Sequence, residues 1–134
     1  MQNCLFAYGT LRPQQAPRGV RHLIKDLRPL GAGWTRGRLY DLGDYPGAIF
    51  DLSAETRIEG DVFALPDDAK ELLARLDAYE GFSPGDPSHS LFVRVRLPVM
   101  MAGGCEATCW AYRYNRDVGH APLVAGGDYA RRRT

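Results

Sequence analysis

Two places in this 134-residue chain carry residue types whose order could do chemistry. The first is Tyr8-Gly9-Thr10-Leu11, which follows the short apolar segment from Asn3. A glycine there lets the backbone turn sharply, and successive N–H groups can converge on an anion as a nest. The same tetrapeptide also suits an ordinary turn after a strand. The second is Glu80, directly after a leucine-rich helical stretch and followed by Gly81-Phe82. A carboxylate at a helix C-terminus faces the negative end of the helix dipole, and Tyr79 and Phe82 could desolvate it further. Both effects raise a carboxyl pKa, the condition for one residue to act as base and then acid near neutral pH. A glutamate at a helix end also suits a side chain that simply points into solvent.

Other constellations offer less. Cys105 and Cys109 lie four apart on an expected strand and should share a face, but His89 and His120 fall in loops without metal-ligand spacing, so no metal site is expected. Buried cysteines of this kind pack as small apolar residues. Arg131-Arg132-Arg133 reads as a solvated tail. The chain contains no Gly-x-Ser-x-Gly elbow, phosphate-cradling loop or dinucleotide fingerprint, which leaves serine nucleophiles and nucleotide cofactors without support.

The elements that must position these residues are mostly short strands. The segment from Asn3 to Tyr8 reads as a first strand, and Val20, Leu23, Ile24 and Leu27 have the spacing of a short amphipathic helix that Pro29 ends. Leu30–Tyr40, with glycines at 31, 33 and 37, reads as a bent or bulged strand. Ala48–Phe50 and Ile58–Leu65 follow as strands. Pro66–Tyr79 reads as the clearest helix: Pro66 and Asp67 mark its start, Glu71 and Arg75 pair at i, i+4, and Gly81 closes it. Leu65, Ala69, Leu72, Leu73, Leu76 and Tyr79 form its expected buried stripe. After a proline- and glycine-bearing loop, Ser83–Ser90, the stretches Leu91–Met101 and Glu106–Tyr114 pair as a hairpin across Gly103-Gly104. A polar tail from about residue 115 should wrap over the body.

The composition agrees with that count of turns. Fifteen glycines and nine prolines favour many short strands over a helical bundle, and the length suits a single domain over residues 1–134. A net charge of +1 provides no global attraction to nucleic acid or anionic membrane. No apolar run reaches the ~18 residues of a membrane span, and the start lacks signal-peptide features. Three cysteines are too few for a disulfide framework, which points to a cytoplasmic protein, and the near-zero net charge points to a small-molecule ligand.

Six segments, in order, resemble the gamma-glutamylcyclotransferase-like family. They are Phe6–Leu11; Gly37–Gly43 with Tyr45-Pro46-Gly47; Glu59–Phe63; Leu76–Phe82; Phe92-Val93-Arg94; and Trp110–Tyr114. The resemblance implies an α+β fold, a small mixed β-barrel with flanking short helices and a cavity at one end. It implies that Tyr8, Gly9, Thr10 and Leu11 bind a γ-glutamyl group and that Glu80 is the catalytic carboxylate, with no cofactor. The implied reaction closes the γ-glutamyl moiety to 5-oxoproline and releases an amine. The loop reads Tyr-Gly-Thr-Leu without the extra Asn of the glutathione-route enzymes, which makes the chain similar to the compact branch that includes gamma-glutamylamine cyclotransferases. Tyr8, Tyr40 and Tyr114 are candidates to line the cavity. A non-catalytic domain that binds a small molecule in the same cavity is the alternative.

Overall fold

The structure is a computed structural model and describes residues 3–9, 25 and 27–129. It is built on six strands: β1 (Cys4–Ala7), β2 (Arg28–Asp41), β3 (Pro46–Phe50), β4 (Arg57–Ala64), β5 (Phe92–Met101) and β6 (Glu106–Tyr114). One helix, α1 (Lys70–Glu80), lies between β4 and β5. The strands run in the order β3-β2-β4-β1-β6-β5, and a further pairing of β2 with β5 closes five of them into a barrel, with β3 as an added strand on β2. Only β1 and β6 pair in parallel, through Cys4 with Cys109 and Leu5 with Trp110, so the barrel is mixed as expected. The short helix expected around residues 20–27 and the arginine run at 131–133 lie outside the described residues.

Strand β1 shows why so short a segment matters. All four of its residues are buried. Successive side chains of a strand point to opposite faces, and here both faces are covered. Cys4 and Phe6 join the barrel interior with Leu39, Ile58, Val62, Val99 and Cys109, while Leu5 and Ala7 join an outer core with Leu73 and Leu76 of α1. A strand buried on both faces needs an unbroken apolar run, which Cys4-Leu5-Phe6-Ala7 supplies.

Strand β2 is long because it serves three partners, meeting β5 through Gly33 and Trp34 besides β4 and β3. Its residues 28–36 pair with β4, across an irregularity between Pro29 and Gly31, and residues 37–41 pair with β3. It is the bulged strand that the glycines at 31, 33 and 37 lead one to expect. From Gly33 onward its residues alternate between buried and half-buried, which is the period-2 signature of a barrel wall.

The helix begins at Lys70, later than expected, because residues 66–69 form an irregular lead-in and no side chain caps its start. The expected buried stripe also needs a correction. Leu73 and Leu76 are buried, but Tyr79 is 39% exposed and Asp77 is only 4% exposed. With 3.6 residues per turn, the inward face runs through positions 73, 76, 77 and 80, so a helix face that starts in leucines ends in two carboxylates.

The segment after β6 lies on the body. Val124 donates a backbone hydrogen bond to the Leu39 carbonyl (2.8 Å), and Val124 and Tyr129 pack into the barrel core.

Candidate active site

A cavity of about 310 Å³ opens at one end of the barrel. Its described walls come from four places: Phe6 to Gly9 at the exit of β1, Asp44 to Pro46 in the turn into β3, Tyr79 and Glu80 at the end of α1, and Leu91, Phe92 and Tyr112 from β5 and β6. Tyr8 and Glu80, far apart in sequence, therefore face one space. Thr10 and Leu11 lie outside the described residues.

Tyr8 reaches the site because it continues the inward register of Cys4 and Phe6 one step beyond β1. It is buried, and its hydroxyl donates to the backbone carbonyl of Tyr112. Burial, followed by the nearby Glu80 charge, holds the Tyr8 phenol well above its ordinary pKa. Gly9 follows directly. Its φ is not in the left-handed region, so its role is one of space: a Cβ there would come within 2.6 Å of Pro46 Cγ. The glycine lets the chain pass against the proline that forms the opposite wall.

Glu80 is the last residue of α1 and is half-buried. The helix stops there because Gly81 adopts φ 72° and ψ 32°, and its N–H and that of Phe82 bond to the carbonyls of Ala78 (3.2 Å) and Asp77 (2.8 Å). The Gly81 carbonyl in turn accepts from the N–H of Leu91 (3.0 Å), which ties the helix end to the segment leading into β5. Burial pushes the Glu80 carboxyl up to about 8. The charge of Glu80 is felt by three tyrosines, Tyr8, Tyr45 and Tyr112, each with a raised pKa for which burial is the leading cause. In this tyrosine-ringed pocket, the Glu80 carboxyl, with its near-neutral pKa, can accept a proton and return it within one turnover.

Of the tyrosines expected to line this space, Tyr8 does so, whereas Tyr40 and Tyr114 do not. Tyr40 pairs with Gly47 in the sheet, and Tyr114 packs its ring on Phe92 at 5.4 Å. Tyr45, Tyr79 and Tyr112 take the places, because the strand order decides which aromatic residues reach the open end. Tyr112 donates its hydroxyl to Asp77 Oδ1 (2.7 Å), and Arg94 Nε lies 2.9 Å from the same oxygen as an ion pair. This buried group was not evident from the sequence. The available signal was Asp77 itself, four residues after Leu73 on the inward helix face.

Among the described residues, no three His, Cys, Asp or Glu side chains are grouped to hold a metal. Cys105 and Cys109 do not share a strand: Cys105 is exposed in the turn before β6, and Cys109 is buried beside Cys4. No helix among the described residues is long and apolar enough to cross a membrane.

The profile of the family described as gamma-glutamyl cyclotransferase, AIG2-like, matches residues 5–131. The chain belongs to this family. It is 30% identical over 126 residues to the gamma-glutamylcyclotransferase family protein YtfP of Escherichia coli K12, covering 93% of this chain and 94% of that protein. The solution structure of E. coli ytfP superposes with a TM-score of 0.65 at 26% identity, over 96% of each chain. An AIG2-like protein from Mus musculus has the same fold at TM-score 0.73 and 20% identity, with 96% of this chain and 88% of the mouse chain covered. YkqA from Bacillus subtilis matches with TM-score 0.70 and 21% identity over 96% of this chain, which spans only 40% of YkqA. The family is one of cyclotransferase-like enzymes acting on γ-glutamyl compounds, and the closed barrel with its added strand and helix is the fold of these relatives.

Proposed function

We propose that this protein cyclises a γ-glutamyl amine or peptide to 5-oxoproline and releases the amine, with Glu80 as the proton-transfer residue. The observation that carries the reading is the half-buried Glu80 carboxyl, raised to about 8, in the same cavity as Tyr8 and Gly9. The substrate contains its own nucleophile. Glu80 as carboxylate takes a proton from the α-ammonium group, and the freed amine attacks the γ-carbonyl carbon of the same molecule. A five-membered ring forms as the new C–N bond is made. The tetrahedral intermediate then collapses: the original γ C–N bond breaks, protonated Glu80 returns its proton to the departing nitrogen, and the ring nitrogen gives its second proton to the released amine, which leaves as an ammonium ion.

A base of this pKa is well matched to an ammonium proton, which an ordinary carboxylate would accept poorly. In this reading the backbone of Gly9, Thr10 and Leu11 holds the α-carboxylate or the developing oxyanion. The hydroxyls of Tyr8 and Tyr112 already donate to protein acceptors, so these residues contribute wall and rigidity. The chemistry proposed uses no cofactor. Three free thiols, at Cys4, Cys105 and Cys109, fit a cytosolic setting.

The test is to incubate the protein with γ-glutamyl amines, γ-glutamyl dipeptides and glutathione and to measure 5-oxoproline. Release from at least one class is expected. Silence across the panel would contradict the enzyme reading and favour a binding domain that uses the same cavity.

A further inference from the structure

Glu80 is held by its helix. It is the last residue of α1, so the placement of that turn on the barrel sets where its carboxyl stands. One helical turn earlier, on the same inward face, Asp77 is 4% exposed and receives the Tyr112 hydroxyl at 2.7 Å. The Arg94 side chain, itself largely buried, approaches the same oxygen at 2.9 Å and spreads its guanidinium over the Trp110 ring, 4.5 Å from the centroid. The backbone carbonyl of Tyr112 accepts the Tyr8 hydroxyl. One polar chain thus runs from β5 through α1 to β6 and on to the exit of β1, joining elements that wall the cavity.

A buried ion pair is a poor way to gain stability. Removing two charges from water costs several kcal/mol, and well-packed apolar replacements are often equally stable or more so. The Arg94 Nε makes no well-aligned hydrogen bond despite its short distance to Asp77, so the pair lacks even the best geometry. Such a pair does, however, set register: Asp77 can satisfy Tyr112 and Arg94 together only in one placement of α1 on the sheet.

We propose that Asp77 and Arg94 are positioning residues that act through Tyr112 to fix Glu80 and Tyr8 relative to each other across the cavity. The inference rests on the role assigned to Glu80 above. Neither Asp77 nor Arg94 is among the described cavity-lining residues, so neither is expected to touch substrate.

The experiment compares Asp77→Leu/Arg94→Met with Asp77→Asn and the unmodified protein, using the best substrate from the 5-oxoproline panel. The double variant removes both charges together and should keep Tm within about 5 °C of the unmodified protein. Its kcat should fall about tenfold to a hundredfold, with KM changed less than about threefold, because placement of the proton-transfer group is lost while the binding loop is intact. Asp77→Asn keeps an oxygen to accept from Tyr112 and should recover most of kcat. A second readout needs no turnover: in ¹³C-detected NMR titration, the Glu80 carboxyl of the double variant should titrate at least about one pH unit lower as the helix end loosens and water enters.

A folded double variant with unchanged kcat and unchanged Glu80 titration would overturn the proposal. Should the double variant not fold, Tyr112→Phe, which deletes only the hydroxyl donated to Asp77, decides by the same two readouts. The role of Glu80 fails separately, if Glu80→Gln still releases 5-oxoproline or the panel is silent. In that event the titration still decides whether Asp77 and Arg94 hold the helix end.

Discussion

Helix α1 places acidic groups at its two ends in opposite circumstances. Near its start, Glu71 meets Arg75 at 2.8 Å, one turn apart, with side chains 80% and 58% exposed. In its last turn, Asp77 is packed against Tyr112 and Arg94, and Glu80 lies half-buried in a ring of tyrosines with its carboxyl pushed up to about 8. The residue types are the same and the helix is the same. What differs is the face of the helix: Glu71 and Arg75 stand on the side exposed to water, whereas Asp77 and Glu80 continue the inward face of Leu73 and Leu76 toward the open end of the barrel. Exposed pairs gain little because water solvates both partners well, whereas burial raises the free energy of a lone carboxylate and so shifts its proton affinity.

The largest effect is expected at Glu80. Glu80→Gln is nearly isosteric and cannot take a proton, so 5-oxoproline release should fall by about a hundredfold to ten-thousandfold with far-ultraviolet circular dichroism unchanged. Next comes Asp77→Leu alone, which leaves Arg94 as an unpaired, largely buried charge and should cost about 3–5 kcal/mol in urea unfolding. Gly81→Ala is smaller: alanine at φ 72° costs about 1–2 kcal/mol, and its Cβ would sit 3.2 Å from Leu91 Cβ. Glu71→Ala, at the exposed end, should change stability by no more than about 0.5 kcal/mol and leave turnover alone. A Glu71 effect comparable to that of Asp77 would show that burial is not what separates the two ends.

Much of the scaffold is legible in local pattern. The hairpin of β5 and β6, the doubly covered β1, the bulged β2 and the helix stop at Gly81 follow from alternation, glycine placement and apolar runs, which are properties of neighbouring residues. Local pattern does not decide a side chain's place where that place depends on distant strands. Tyr40 and Tyr114 are expected at the cavity, but the β1–β6 pairing, the β3 turn and the end of α1 bring Tyr112, Tyr45 and Tyr79 there instead. The apolar stripe places Tyr79 in the core, three residues after Leu76, whereas the folded helix turns Asp77 inward and leaves Tyr79 39% exposed. An apolar stripe rule has no place for a buried aspartate, and its partners Arg94 and Tyr112 are 17 and 35 residues away. Glu80 is legible in the sequence because a carboxylate before a helix-ending glycine is a local feature. The tyrosine-ringed cavity that raises its pKa is a product of the closed barrel.

If Glu80 moves the proton, the pH dependence of kcat/KM for 5-oxoproline release must follow the titration of its carboxyl. The carboxylate form is the active base, and burial raises its pKa, so activity should climb with pH through an inflection near 8. That inflection should be absent from the residual rate of Glu80→Gln. A profile already flat above about pH 5, where an ordinary glutamate is fully ionised, or one unchanged in Glu80→Gln, would contradict the account.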